Sequence, residues 1–351
     1  MIEQWKQFLR DNGAQFAEQE IAYFTSSGDF TDWNTGFVTP LLQLGVIVAE
    51  GAEAADFLHK QLSNDVNHLT TETARLAGYC SPKGRLLSTL LLWREADKNS
   101  DQIFLQLPAT LLPAILKRLR MFILRAKASL RDASDDTILL GLGGAQATQV
   151  LGNWFAQLPD TPYGTASNEY GCVIRVADAF AAARYEWRLT SQLAEQIWPQ
   201  LTQQLAPVAS RVWGLSEIAA GVPQVLPATQ EKFVPQMINY ELIGGVNFKK
   251  GCYPGQEIVA RSQYLGKLKR RMHAARIVGA QVVQAGDEVF SMDDPNQACG
   301  MVVNAERAAD GAFACLIEIK IALLGSSIRH ASIDGPICEF GPLPYALDGL
   351  E

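Results

Sequence analysis

Lys249-Lys250-Gly251-Cys252-Tyr253-Pro254-Gly255-Gln256-Glu257-Ile258-Val259-Ala260-Arg261 is the stretch on which the reading of this chain turns. Gly251 and Gly255 bracket the thiol and permit backbone geometry that a Cβ would forbid. Gln256 to Arg261 read as the start of a helix. A thiol ahead of a helix N-terminus and beside two lysines sits in positive potential, which favours the thiolate. Cys252 is therefore a candidate reactive or ligating sulfur. The competing reading is a buried cysteine in a tight turn, the commoner fate of a cysteine taken at random.

The rest of the composition narrows the setting. At 351 residues the chain exceeds the size at which one hydrophobic core keeps growing, so two or three packed parts are expected. With 30 basic against 37 acidic side chains the net charge is -7, and no global field recruits nucleic acid or an anionic membrane. The six cysteines are scattered without a CxxC pair, which argues against a disulfide scaffold or a self-contained metal site and fits a reducing cytosol. No metal ligand set is assigned. The four histidines (His59, His68, His273, His330) share no metal spacing, and chain order alone supports no Ser/His/Asp arrangement. The N-terminus is polar without an apolar signal region. Apolar runs such as Leu86 to Trp93 are far shorter than the ~20 residues that span a bilayer. A cytoplasmic protein without membrane contact is expected.

Along the chain, helix and strand patterns mix without repeated βαβ units, an α+β signature. The first twenty residues read as an amphipathic helix through Trp5, Phe8, Leu9 and Phe16, followed by a turn-rich stretch at 28–39. A strand at 44–51 leads into a helix with Ala55, Leu58, Leu62 and Val66 on one face. Two strands flank the tight turn Ser81-Pro82-Lys83-Gly84. Further elements are a strand at Ile103 to Leu107, a helix from Thr110, strands after Lys127 and from Thr137, a helix over 145–158, strands near Val173 and Trp187, and a helix from Leu193 to Leu205. The Gly141 to Gly144 turn lacks the last glycine of a dinucleotide fingerprint, because Gln146 stands there. Beyond Met272, short β runs alternate with Gly, Asp and Asn turns, which suggests a small antiparallel barrel. Three parts are expected: an N-terminal α+β lobe over 1–135, a second α+β lobe over 136–271 carrying the motif, and a β-barrel over 272–351. Two basic stretches, 117–131 and 261–276, read most simply as solvated faces.

The octapeptide Lys250 to Glu257 resembles the KGC-[FY]-x-GQE signature of the YgfZ family. FLHKQLSNDVNHL (57–69), GYCSPKGRLLS (78–88), AAGVPQ (219–224), FVPQMINYELIGGVNFKKGCY (233–253) and PLPYAL (342–347) are similar to family segments in the same order, so the resemblance runs from about Leu44 to the C-terminus. It implies the cloverleaf of the glycine-cleavage T-protein: two α+β lobes and a C-terminal antiparallel β-barrel around a folate cavity. It implies tetrahydrofolate as cofactor and, as partners, iron-sulfur enzymes including those that thiolate tRNA. It places folate contacts at Trp213, at Leu44 where the family has a second tryptophan, and in the motif at Lys250, Tyr253, Gln256, Glu257 and Arg261, with Cys252 as the functional thiol. Read as residues alone, a tryptophan in SRVWGLSEIA belongs more often to a core than to a ligand platform.

Departures separate the subfamilies. T-proteins carry an aspartate where this chain has Leu87 and Ser88, and a glutamate where it has Ala219, so neither aminomethyl transfer nor a conventional enzyme is expected. The two alternatives are a folate-dependent aminomethyl or one-carbon transferase, which needs those acids, and a non-catalytic RNA-binding or scaffold module, which needs no glycine-bracketed thiol. Basic residues of 261–276 adjoin the motif and are placed to meet a folate polyglutamate tail or an RNA backbone, although no RNA-recognition motif is present. Direct tRNA binding is the weaker partner expectation.

Overall fold

The computed structural model describes residues 2–17, 20–26, 30–96, 101–264 and 268–347. Gly28 of the expected turn-rich stretch, and Gly266 and Lys267 of the second basic one, lie outside the described residues. The fold is mixed α+β, and two compact units interleave along the sequence. One comprises Met1–Leu58, Val66–Arg75 and Leu90–Trp213; the other comprises His59–Asp65, Leu76–Thr89 and Gly214–Glu351. The limits expected at 135/136 and 271/272 fall inside the first and the second unit respectively. Among the described residues no helix is long and apolar enough to cross a membrane.

The first unit is organised on a six-stranded sheet in the order Thr165–Asn168, Gly171–Ala179, Ala182–Leu189, Ile138–Gly144, Gly36–Pro40 and Ala206–Pro207. All neighbours are antiparallel except the last, parallel pair. Side chains alternate between the faces of a strand. One face carries Val38, Leu140 and Trp187 into a core shared with the helices Ile2–Asp11 and Ser191–Leu201. There Trp198 meets Trp5 and Phe24 at ring-centroid distances of 5.8 and 5.7 Å. The other face carries Thr39, Gly141 and Glu186, which stand opposite one another across three strands. The strands Leu86–Ala96, Asp101–Pro108, Leu44–Glu50 and Ser129–Asp132 form a second antiparallel sheet. Arg188 links the two sheets, gripping Glu95 and lying 5.0 Å over the ring of Phe104.

In the second unit, Arg75–Cys80 turns through 81–84 into the first residues of Leu86–Ala96. The C-terminal part is a six-stranded antiparallel sheet in the order Ile328–His330, Glu288–Ser291, Asp294–Arg307, Phe313–Lys320, Arg270–Ile277 and Cys338–Gly341. It curls until its edge regions are joined by a single bridge, Arg329 to Ile337, and is a half-barrel rather than a closed barrel. Its interior holds Val289, Val302, Ile317, Ile319 and the thiols of Cys299, Cys315 and Cys338. Burial pushes the Cys338 thiol up to about 12 and that of Cys315 higher still.

Several helices are shorter than apolar spacing suggests. The first ends at Asp11, because Gly13 adopts a φ of +91° and turns the chain into the hairpin Ala14–Ala17/Glu20–Phe24, which moves Phe16 onto a strand. The helix of Ala55 stops at His59. Beyond it Ser63 and Asn64 hydrogen-bond outside any helix: Ser63 Oγ donates to Gly245 O (2.6 Å), and Asn64 Nδ2 donates to Leu76 O and Gly244 O (both 2.7 Å). Leu62 and Val66 are buried as expected, but from irregular backbone. The helix expected over 145–158 is only Ala147–Leu151, that near Thr110 is Leu112–Arg120, and that of Leu193 is Ser191–Leu201.

The basic stretch 261–276 is not a solvated face throughout. Arg271 is buried, with Nη1 donating to Glu241 Oε1 (2.5 Å) and Gln236 O (2.7 Å), while Arg270 pairs with Glu318. Asn239, left-handed at φ +58°, donates from Nδ2 to Met272 O (2.8 Å), and Gln236 Nε2 donates to Val259 O (2.8 Å). These bonds tie the half-barrel strand Arg270–Ile277 to the helix Gln256–Tyr264. Removing one partner of a buried ion pair strands the other charge and costs about 3–5 kcal/mol. Glu241→Gln is therefore expected to lower the urea unfolding free energy by about that amount, and the double change Glu241→Leu with Arg271→Met to recover most of it. A loss below ~0.5 kcal/mol for Glu241→Gln, the size of an ordinary surface substitution, would show that Arg271 does not depend on this carboxylate.

Candidate functional site

Two glycine turns seat the motif. Gly84 and Gly255 have φ of +69° and +80°, a region that side chains disfavour. A Cβ on Gly255 would lie 2.4 Å from Ser81 O and 2.6 Å from Gly84 Cα, and a Cβ on Gly84 would lie 2.9 Å from Ile258 Cβ. The turn 81–84 and the motif thus fit only as glycine against glycine. Gly84 N donates to Ser81 O (2.9 Å), closing the turn. Gln256 N donates to Tyr253 O (3.1 Å) at the start of the helix Gln256–Tyr264, and Val259 buries itself from that helix.

Lys250 points inward and is almost fully buried. Its Nζ donates to His59 O and to Leu62 O (2.8 Å), carbonyls left open where the helix Ala54–His59 ends. The ammonium also lies 4.8 Å over the ring of Tyr253. Burial lowers the Lys250 pKa to about 8, against the opposing pull of Asp65 and Cys252. Because the folded value lies below the ordinary lysine value of 10.5, the unfolded chain binds the extra proton between those limits. This group therefore makes stability rise with pH across that window. Of the two lysines that precede the thiol, Lys249 is exposed, whereas Lys250 turns inward onto the two carbonyls while still sensing the charge of Cys252.

Cys252 itself is exposed. Beneath it Tyr253 is buried, its phenol pushed up by burial and by Cys80, and its Oη has no hydrogen-bond partner among the described residues. The same holds for Ser81 Oγ. Gln256 is half-buried, and Glu257 and Arg261 are exposed in the first and last turns of the helix. His59 stands beside the motif, its Nε2 3.6 Å from where a Cβ on Gly251 would be, and its Nδ1 lies 3.1 Å from Asp65 Oδ1. Sequence reasoning passed over both residues: they are six apart, and only the broken helix brings them together.

Trp213 and Leu44 belong to the first unit, the motif residues to the second. Trp213 is fully buried, with its ring pressed onto Gly141, where a Cβ would lie 2.5 Å from Cε3, and with the Arg184 guanidinium 4.8 Å from the ring centroid. Residues opposite one another in an antiparallel pair point to the same face. Thr39, Gly141 and Glu186 therefore form a row on the Trp213 side of the sheet, with Arg184 two residues before Glu186. Thr39 Oγ1 is buried without a hydrogen-bond partner among the described residues. Leu44 opens its strand opposite Pro108 as a buried aliphatic residue. No sequence signal singled out Thr39, Arg184 or Glu186, since alternation predicts a face and not what covers it.

No family model matches the chain. It is 31% identical to the tRNA-modifying protein YgfZ of Edwardsiella ictaluri over 311 residues, 87% of this chain and 91% of that protein. The same-named proteins of Colwellia psychrerythraea and Escherichia coli are 30% and 27% identical over 89% and 85% of this chain, and 94% and 90% of their own lengths. Among solved structures, the glycine cleavage system aminomethyltransferase T from Bartonella henselae superimposes with a TM-score of 0.76 at 16% identity, covering 96% of this chain and 95% of that one. That likeness establishes a T-protein fold. Together with the seated KGCYPGQE motif, the sequence matches show that this chain belongs to the YgfZ family.

Proposed function

We propose that the protein is a cytoplasmic, tetrahydrofolate-binding accessory factor that supports iron-sulfur enzymes, those that thiolate tRNA among them, with Cys252 as its working thiol. The observation that carries this reading is the contrast among the six cysteines: five are buried, and only Cys252 is exposed, held on a turn that two glycines and a buried lysine fix. A structural cysteine has no need of such a mount. The relatives' name, tRNA-modifying protein, agrees in kind.

The buried row in the first unit fits a pterin by its donor and acceptor set. Glu186 supplies a carboxylate for an amino-pyrimidine edge, Thr39 an orphaned hydroxyl, and Trp213 and Arg184 flat walls. Folate, when bound, supplies a one-carbon carrier; these residues bind and orient it. Aminomethyl transfer is set aside, since Leu87, Ser88 and Ala219 offer no carboxylate. Any direct RNA contact would fall to the basic residues beside the motif that stay exposed, Arg261, Lys269 and Arg276.

Trp213→Ala would open a cavity in a packed site, so Trp213→Phe is the informative change. Calorimetric titration with tetrahydrofolate is expected to show affinity weakened several-fold at an unchanged melting temperature. Unaltered affinity returns Trp213 to the core, and turnover of an aminomethylated lipoyl carrier would favour the transferase instead. In a strain lacking the endogenous gene, Cys252→Ser is expected to abolish most support for tRNA thiolation while folate affinity stays near wild type, with Cys299→Ala as the buried control. Full complementation by Cys252→Ser would make the thiol structural.

A further inference from the structure

We propose that the turn at 121–124 is a lipid-facing tip, whose apolar side chains enter the headgroup layer of an anionic membrane surface while the cations around it meet the phosphates. The proposal is independent of Cys252 and of folate, and every residue it uses lies in the first unit.

Met121, Phe122 and Leu124 are 62, 44 and 89% exposed, three large apolar side chains within four residues. Apolar residues exposed singly are ordinary, whereas three together on one turn call for a reason. The turn is built rather than loose. Phe122 N donates to Leu119 O (3.0 Å), Ile123 N to Arg120 O (3.3 Å) and Ala126 N to Ile123 O (2.8 Å), and the Arg120 guanidinium clamps the returning strand through Leu130 O (3.0 and 2.7 Å). Leu124 is left-handed at φ +45°, a conformation for which glycine is the usual choice. The backbone is thus strained to hold out a leucine that stands almost wholly in solvent. Strain of this kind, with no packing to offset it, points to a function for the side chain.

The charges decide the partner. Lys117, Arg125 and Lys127 are exposed around the tip, and none of them enters an ion pair among the described residues. Arg120 is taken up by Leu130 O and Arg131 by Asp136, while the Glu53 carboxylate accepts from Lys127 N (2.6 Å). A net charge of -7 repels anionic surfaces elsewhere, so approach is favoured only where such cations gather. Three apolar side chains are too few for a stable protein interface, which buries about 800 Å² on each partner. RNA would use stacking rings, and Phe122 is the single aromatic residue of 117–131. A lipid surface needs only a shallow apolar wedge with basic residues behind it, and its hold grows with the apolar area and the cation count. The contact is peripheral, since among the described residues no helix is long and apolar enough to cross a membrane.

Flotation of the full chain tests this, with vesicles of phosphatidylcholine alone and of phosphatidylcholine with phosphatidylglycerol at about three to one. At low salt the parent is expected to partition onto the anionic vesicles about tenfold more strongly than onto the neutral ones, and to be released as salt rises. Leu124→Gly should weaken that partition several-fold with the melting temperature little changed, because relief of the strained backbone offsets the added freedom of the unfolded chain. Lys117→Gln combined with Lys127→Gln should remove the preference for anionic lipid. A parent that floats with neither vesicle, or a Leu124→Gly variant that floats as the parent does, overturns the proposal, and so does a clear loss of stability in Leu124→Gly, which would make the side chain structural. Two further results, in place of flotation, also overturn it. A gel shift of bulk tRNA that needs the two lysines but not Leu124 would give the face to nucleic acid, and self-association in sedimentation that Leu124→Gly abolishes would give it to a second copy of the chain.

Discussion

The ammonium of Lys250 is the interaction on which the motif depends. A helix that ends at His59 leaves carbonyls in a region closed to water, and each orphaned carbonyl there costs about 1–3 kcal/mol. One buried cation answers two of them, those of His59 and Leu62. Its own desolvation is what draws its pKa down to about 8, and the Tyr253 ring gives partial relief. Once Lys250 is turned inward, the next residues have little freedom. Gly251 passes beside His59, Cys252 faces solvent, Tyr253 goes under, and Gly255 closes onto Gly84. The exposed thiol is thus the product of burial on either side of it.

The same logic recurs elsewhere with different polar groups. In the second unit, Arg271, Glu241, Gln236 and Asn239 join the motif's helix to the half-barrel through buried hydrogen bonds. Such networks bind tightly when complete and weaken badly when one member is lost. In the first unit, the row Thr39, Gly141, Glu186 places polar atoms behind Trp213, where apolar side chains would pack a sheet equally well. A buried carboxylate and an orphaned hydroxyl are poor choices for stability alone. Their presence is the physical ground for reading this face as a binding surface.

Much of this was legible in the sequence, and the limits have physical causes. The motif, its glycines, the strands around 81–84 and the antiparallel C-terminal region follow from local patterns. The helix expected past His59 failed because apolar spacing reports burial, and Leu62 and Val66 are indeed buried, while Ser63 and Asn64 spend their hydrogen bonds on distant carbonyls. Arg271 was read as solvated because nothing local announces Glu241 thirty residues earlier. That Lys250 is also a strut is not legible locally, since only tertiary structure supplies the carbonyls it holds. The partner of the Gly255 turn lies in a segment far off in sequence, and no spacing rule points to it.

The central claim is that the fold presents one thiol and hides the rest. Native-state alkylation with iodoacetamide, mapped by peptide mass spectrometry over time, tests it most directly. The account predicts complete modification of Cys252 before any of Cys80, Cys172, Cys299, Cys315 or Cys338 reacts, with those five labelled only once the chain unfolds. Protection of Cys252 to the same degree as buried Cys80, or labelling of Cys80 first, would contradict it.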